Sequence, residues 1–202
     1  MSVDSRRDFL RVISGIALTT PLLLSAAARG ETVSRITPEH FRLSANGWVP
    51  NNPNLPVLLY RQVLPLSDDI TQHSESAFQQ HGWPPQWVAG VFNFHHYHST
   101  AHEVLGFVGG EAKLMLGGPG GKTVTVHAGD VALLPAGTGH CNLGSSDDFL
   151  VVGAYPPDQH WDICRSAPTQ AMQKSIDTLA YPHQDPVSGQ AQPLMTLWDA
   201  RA

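Results

Sequence analysis

The chain has 202 residues, of which 42% are hydrophobic and only 14% are charged, and its formal net charge is -5. This length suits one domain with a substantial core, and the low charge content argues against a disordered or coiled-coil protein. We expect no nucleic-acid partner, because no basic cluster that could neutralise phosphates follows residue 11. The eighteen Gly and sixteen Pro residues indicate many turns and therefore short strands.

Residues 1–28 have the organisation of an export signal peptide. Ser5–Arg11 is charged, Val12–Leu24 is apolar, and Ser25–Ala28 offers small residues for cleavage. The order Ser-Arg-Arg-x-Phe-Leu-Arg resembles a twin-arginine signal, with a Sec-type signal or an uncleaved amphipathic anchor as alternatives. The apolar run is shorter than the roughly 20 residues of a membrane-spanning helix. We therefore expect a periplasmic or otherwise exported protein that touches the membrane only through the uncleaved signal during export.

Three further regions are predicted after the signal. Residues 29–56 form an extended, turn-rich N-terminal arm, and residues 57–165 form a barrel that begins with a strand at Val57–Leu64. A helix is predicted over Ser67–His81, N-capped by Ser67 and ended by the following glycine. Residues 166–202 comprise a helix over Pro168–Leu179, with one apolar stripe, and a Pro-rich tail that wraps the surface.

Short strands dominate the predicted barrel. Gly, Pro or Asp bounds each of them, and strands at this spacing are typical of a sandwich or a closed barrel. The predicted strands are Trp87–His98, Glu103–Val108, Ala112–Leu116, Thr123–His127, Val131–Leu134 and Phe149–Ala154.

Two histidines on one predicted strand point to a metal site. His96 and His98 are two residues apart, and residues i and i+2 of a strand share a face. Phe92 and Phe94 fall on the same face and would wall the pair, whereas the intervening Tyr97, like His95, would point away. Histidine is a common metal ligand, so this face is a candidate metal centre.

A carboxylate and a third histidine complete the predicted site. Glu103 opens the next strand, from which it can reach the pair across the ladder, and strand parity favours it over His102 as a ligand. His140 follows a Pro-x-Gly turn and would be the fourth ligand. Alternation from Glu103 places Leu105 and Phe107 on the apolar walls.

These residues resemble the two sequence motifs of the cupin family. Gly90, His96, His98, Glu103 and Gly110 fit every interval of the first motif. The second motif is matched by Gly129, Pro135, Gly137 and His140, but Gly144 replaces its terminal Asn. The resemblance implies an all-β fold, the double-stranded β-helix or cupin jelly-roll barrel, with a few short flanking helices.

A narrower resemblance, over roughly residues 38–200, is to the YjlB-like single-domain cupins of bacteria. The stretches that carry it are 51–53, 82–87, 95–106 and 152–156. This subgroup implies no particular activity. Because cupins are often dimers, the resemblance also implies a homodimer.

Three imidazoles and one carboxylate suit one divalent metal ion, which could be Mn, Fe, Ni, Co or Zn. Four protein ligands leave coordination positions open for a small-molecule ligand or substrate. The sequence predicts His96, His98, Glu103 and His140 as metal ligands and assigns no catalytic residue, and no other cofactor is expected.

Three functional hypotheses remain open from the sequence. The first is a metal-dependent enzyme acting on a small organic molecule, as a dioxygenase, another oxidoreductase, an isomerase or a lyase. The second is a non-catalytic periplasmic metal or small-ligand binding protein, and the third is an interaction scaffold.

The two cysteines, Cys141 and Cys164, could form a disulfide in an oxidising compartment.

Overall fold

The computed structural model describes residues 36–199. The predicted signal peptide, 1–28, lies outside the described residues. Within them, the strands are β1 Glu39–Phe41, β2 Val57–Tyr60, β3 Pro85–Ala89, β4 Glu103–Gly109, β5 Glu111–Leu116, β6 Lys122–His127, β7 Val131–Leu134, β8 His140–Ser145 and β9 Leu150–Ala154. The helices are α1 Ile70–Gln80, α2 Gln170–Thr178 and α3 Leu194–Trp198. None of these helices is long and apolar enough to cross a membrane.

The strands form two antiparallel sheets. One has six strands in the order β1-β2-β7-β4-β9-β3, and the other has three in the order β6-β5-β8. Most neighbours in the larger sheet are distant in sequence, so the chain crosses repeatedly between the sheets as in a jelly roll. The predicted all-β jelly-roll fold with a few short helices is confirmed.

The central strands of the six-stranded sheet, β2, β7, β4 and β9, are buried on both faces. On β2, Val57 and Leu59 face an apolar cluster between the two sheets, whereas Leu58 and Tyr60 face a second cluster that includes residues of α1 and α3. Successive strand residues point to opposite faces, so a sheet covered on both sides needs continuous apolar runs. This explains why all four residues of β2 and of β7 are buried.

The C-terminal segment, which is predicted to wrap the surface, inserts two side chains into this core. Leu194 and Trp198 are 0% and 1% exposed, because their spacing of four residues places both on one face of α3. The Trp198 indole nitrogen donates a hydrogen bond of 2.9 Å to the carbonyl of Pro56. Helix α3 is thus held against the residue that directly precedes β2.

Several predicted elements differ in their bounds. The strand predicted over Trp87–His98 is β3, which ends at Ala89, because His96 and Tyr97 pair in isolated bridges with two other segments. The helix predicted from Ser67 begins at Ile70. Strand β8, at His140–Ser145, was not predicted, and β1 lies within the predicted arm. The division into arm, barrel and tail stays a prediction.

Candidate metal centre

Three segments of the chain bring the predicted site residues together. His96 and His98 lie between β3 and β4, Glu103 begins β4, and His140 begins β8. All four are buried, with exposures between 2% and 6%. The backbones of His96 and His140 exchange two hydrogen bonds, of 3.2 and 2.9 Å, which fix the two histidines side by side.

The Pro-x-Gly turn before His140 is tied to the His-x-His segment. Gly137 has a φ of +89°, which favours glycine, and its N–H donates a 2.7 Å hydrogen bond to the carbonyl of His98. A Cβ at this position would come within 2.8 Å of the Ile176 side chain. The turn therefore requires glycine for both its conformation and its packing.

The three site histidines share one tautomer. Nδ1 of His96 lies 3.1 Å from the Phe94 carbonyl, and Nδ1 of His140 lies 3.0 Å from the Thr138 carbonyl. Nδ1 of His98 is bonded to the carbonyl of Asp162. Because a carbonyl only accepts, each Nδ1 carries the hydrogen and donates it. In the neutral rings each Nε2 is left with a free lone pair, the arrangement that second-layer partners impose on metal-binding histidines.

The lone pairs of His98 and His140 face the Glu103 carboxylate. His98 Nε2 lies 3.3 Å from Oε1 of Glu103, and His140 Nε2 lies 3.2 Å from Oε2. Tyr155 donates a 2.6 Å hydrogen bond to Oε1. Oε2 is buried and makes no hydrogen bond within residues 36–199. Acceptors that face one another at these distances repel unless a proton or a cation lies among them.

The donor set fits a cation. The ring nitrogens of His96, His98 and His140 lie within 4.8 Å of one another, so these three buried histidines could hold a metal ion. The orphaned Oε2 of Glu103 lies 3.2 Å from one of these nitrogens, Nε2 of His140. Imidazole nitrogens with a carboxylate oxygen are ligands for divalent transition metals.

The electrostatics of the site favour an ionised carboxylate and the neutral forms of His96 and His140. Burial raises the pKa of Glu103, but the adjacent His98 and His140 outweigh it and lower that pKa to about 2. Burial, and then the neighbouring His140, lowers the pKa of His96 to about 3. Burial likewise lowers the pKa of His140. Burial also acts to lower the pKa of His98, but Glu103 outweighs it and raises the pKa.

A cavity of about 220 Å³ opens onto the three histidines. Its walls are mostly apolar and aromatic. They are formed by Trp87, Ala89, Gly90, Val91, Phe92, Leu105, Tyr155 and Trp161, with His96, His98 and His140 as the polar part. A larger hollow of about 590 Å³, among residues of the 42–53 segment, contains none of the predicted site residues.

The predicted apolar walls are present in part. Phe92 and Phe94 stack with ring centroids 4.8 Å apart, and both rings meet His96 edge-on. Leu105 lines the cavity, as predicted. Phe107 lies instead in the cluster between the two sheets, because it is two residues further along β4 and beyond the cavity.

His102 lies outside the site, in agreement with the strand-parity prediction. It is fully buried, and its Nδ1 accepts a 3.0 Å hydrogen bond from the backbone N–H of Ala136. Tyr97 also points away from the site, into a small cluster with Cys164 and Ile176. Both cysteines, Cys141 and Cys164, are free and buried.

Four further residues of the site were not predicted. Trp87 and Tyr155 lie in two of the sequence stretches, 82–87 and 152–156, that resemble the YjlB-like subgroup. That resemblance could have marked them as candidate site residues. Trp161 and Asp162 had no such signal, because they lie in an irregular segment that no strand or helix pattern describes.

Comparison with known proteins identifies the family. No protein-family model matches the chain. The chain is 37% identical over 155 residues to YjlB of Bacillus subtilis strain 168, which is described as uncharacterized. The matched region covers 76% of this chain and 92% of YjlB. The chain belongs to the YjlB family.

Solved structures similar to this YjlB family member share little sequence with it. A DUF861 family protein of Thermotoga maritima is 18% identical, with a TM-score of 0.29, over 45% of this chain and 91% of that one. A predicted oxalate decarboxylase of the same organism has the same identity and TM-score, over 61% and 94% of the two chains. Oxalate decarboxylase of Lactobacillus farciminis, in a formate complex, is 16% identical, with a TM-score of 0.28, over 63% and 33%.

Proposed function

We propose that His96, His98, Glu103 and His140 bind one divalent metal ion, which binds or transforms a small organic molecule in the adjoining cavity. The observation that carries this proposal is the shared histidine tautomer, with the free Nε2 atoms of His98 and His140 beside a buried carboxylate. A satisfied structural cluster would instead place a donor opposite the carboxylate oxygen Oε2.

The ligand types suit Mn²⁺, Fe²⁺, Co²⁺, Ni²⁺ or Zn²⁺. When bound, such an ion would supply Lewis-acid polarisation or, for a redox-active metal, electron transfer to a small molecule. The protein's own residues orient the ligands. Backbone carbonyls fix the histidine rings, and Tyr155 holds one oxygen of Glu103 so that the other stays directed at His140.

The cavity walls keep bulk water from the histidines. Tyr155 and Trp161 stack with an interplanar angle of 21°, and Trp161 also meets the His98 ring edge-on. Exclusion of water strengthens the electrostatic interactions between a ligand and the buried groups of the site.

Elemental analysis of purified protein tests the metal site. We expect about one equivalent of a divalent metal in the wild type and a loss of that metal in His96→Ala, with the circular dichroism spectrum unchanged. His127→Ala is the matched control, because His127 is an exposed histidine paired with Glu111 away from the site. Full metal retention in His96→Ala would refute the ligand assignment.

A non-catalytic metal or small-ligand binding protein is the second candidate function. It is supported by the cavity wall, which, among the described residues, contains no carboxylate or amine that could serve as a separate general base. Oxygen consumption by the metal-loaded protein with enols, catechols or thiols distinguishes the two. Turnover supports an oxygen-dependent enzyme, and binding without turnover supports the second candidate.

We also propose export through the twin-arginine pathway. This route carries folded proteins, so the barrel could acquire its metal before it reaches the periplasm, where copper and zinc would otherwise compete by affinity. Replacing both Arg6 and Arg7 by Lys should trap the protein in the cytoplasm, whereas Arg11→Lys should not. Unchanged export of the double variant would argue for a Sec-type signal.

The homodimer stays a prediction, which sedimentation equilibrium would test.

A further inference from the structure

We infer that the ligand of this site is a small, mostly apolar molecule that directs one metal-chelating group at the histidines and carries no second charged group. This inference rests on the proposed metal site. It adds the chemical class of the molecule that the site accepts.

The size and composition of the cavity limit the ligand. Its volume of about 220 Å³ is below the range of about 300–1,000 Å³ that is common for pockets holding drug-sized molecules. Among the described lining residues there is no Lys, Arg, Asp, Asn or Gln. A carboxylate or phosphate away from the histidines would therefore lose its hydration without gaining a counter-charge.

The tryptophan and tyrosine donors of the wall are already used within the protein. Trp87 donates its indole N–H to the Tyr155 hydroxyl at 2.7 Å. That hydroxyl in turn donates its own hydrogen to Glu103. The indole N–H of Trp161 is directed to Oε1 of Gln86 at 2.9 Å. These side chains present rings to the cavity and keep no N–H or O–H for a ligand.

The histidines offer no further donor. Each of the three Nδ1–H groups donates to a backbone carbonyl, so only the Nε2 atom of each ring is available on the cavity side. The nearby cation Arg165 lies over the Phe94 ring, 4.3 Å from its centroid, and is not part of the wall. A hydroxyl-rich or doubly charged ligand would leave polar groups without partners, which is costly in a dry site. The site thus selects for one polar end and an apolar body.

Three hydroxamic acids with the same chelating group test this inference. Acetohydroxamic acid carries the chelating group with only a methyl substituent and serves as the reference. 4-Methylpentanohydroxamic acid adds a neutral branched tail, and succinic monohydroxamic acid adds a carboxylate tail of the same shape. Isothermal titration calorimetry on the Zn²⁺-loaded full chain measures each affinity. We expect the neutral tail to strengthen binding over acetohydroxamic acid by about tenfold or more, and the charged tail to give no gain.

Two variants locate the effect. Trp161→Ala should weaken binding of the neutral branched ligand several-fold more than that of acetohydroxamic acid, because only the branched tail extends along the wall. Leu66→Ala is the matched control, since Leu66 is an exposed apolar residue outside the cavity wall. Ala89→Lys adds an ammonium group at an exposed position of the wall, and it should improve binding of the carboxylate ligand selectively.

The outcomes separate the inference from the proposed function. Metal content is measured first, and a wild type that binds no metal refutes the proposed function and the inference with it. If metal binds but the carboxylate ligand equals or exceeds the neutral one, the inference alone is overturned. Equal affinity for all three acids, or no binding of any of them to the metal-loaded protein, also overturns it.

Discussion

Two buried histidine environments in the molecule have opposite hydrogen-bond patterns. In the candidate metal centre, His96, His98 and His140 use Nδ1 as a donor to backbone carbonyls and leave Nε2 free. At His102 the ring accepts at Nδ1 from the Ala136 N–H, so Nε2 carries the hydrogen and lies 3.3 Å from the Leu179 carbonyl. Burial alone therefore does not identify a candidate metal-binding histidine; the ring must also leave Nε2 free beside other possible ligand atoms.

The charge beside the two environments also differs. The site histidines surround the Glu103 carboxylate, but His102 packs against the rings of Trp198 and Tyr181. Burial lowers the pKa of His102 to about 4, and its neutral ring has both nitrogens satisfied. The surroundings of His102 are therefore suited to stabilising the fold, whereas those of the site histidines are suited to ligand binding.

The largest effect is expected for Glu103→Gln. This change keeps the side-chain shape but removes the charge that offsets a bound cation. Breaking a buried charge pair costs about 3–5 kcal/mol, which corresponds to a loss of about 100-fold or more in metal affinity. Competition with a calibrated fluorescent zinc chelator measures the affinity. A loss of less than threefold would mean that the carboxylate is not a ligand.

The second prediction concerns His102→Ala. It leaves the buried Ala136 N–H without an acceptor and opens a cavity beside Trp198. We expect a loss of about 2–4 kcal/mol in the free energy of unfolding, measured by urea denaturation. Metal content should remain at the wild-type value when the protein is assayed below its unfolding midpoint. Loss of metal from the folded variant would contradict the separation of the two environments.

The four residues of the predicted site were accessible from the sequence because short-range rules place them. His96 and His98 are separated by the two-residue repeat of an extended backbone. Glu103 and His140 follow turns whose residues also carry the cupin motifs. Strand parity also separated Glu103 from His102, and the structure places His102 on the opposite side, bonded to Ala136.

Long-range contacts were not accessible from the sequence. The bond between Asp162 and His98 spans 64 residues, and the one between Tyr155 and Glu103 spans 52. No local periodicity encodes such pairs. Strand β8 was missed for a related reason, since its last four residues, from Asn142 to Ser145, are not buried and contain a single large apolar side chain, so they show no apolar alternation. The burial of Trp198 likewise depends on a partner 142 residues away.

The third prediction tests how the carboxylate is held. Tyr155→Phe removes the hydroxyl that donates to Glu103 and accepts from Trp87. Loss of a partner that orients a metal ligand costs about 10–100-fold in affinity, and we expect the lower end because the phenyl ring keeps the wall packed. The matched control is Tyr181→Phe, whose hydroxyl bonds to the exposed Asp199. Equal metal affinity in both variants would exclude a positioning role for Tyr155.

The smallest expected effect is the contribution of His102 to the pH dependence of the free energy of unfolding. Its folded pKa, about 4, is below the ordinary value of 6.5, so the unfolded chain binds a proton that the fold excludes. Stability is therefore lost as pH falls below 6.5, and the loss levels off below about 4. His102→Asn keeps an acceptor for Ala136 but cannot titrate. Between pH 7 and pH 5.5 the wild type should lose about 1 kcal/mol more than this variant in urea denaturation of metal-free protein. The site histidines are common to both proteins and cancel in the difference, so parallel pH profiles would show that His102 is not held neutral by the fold.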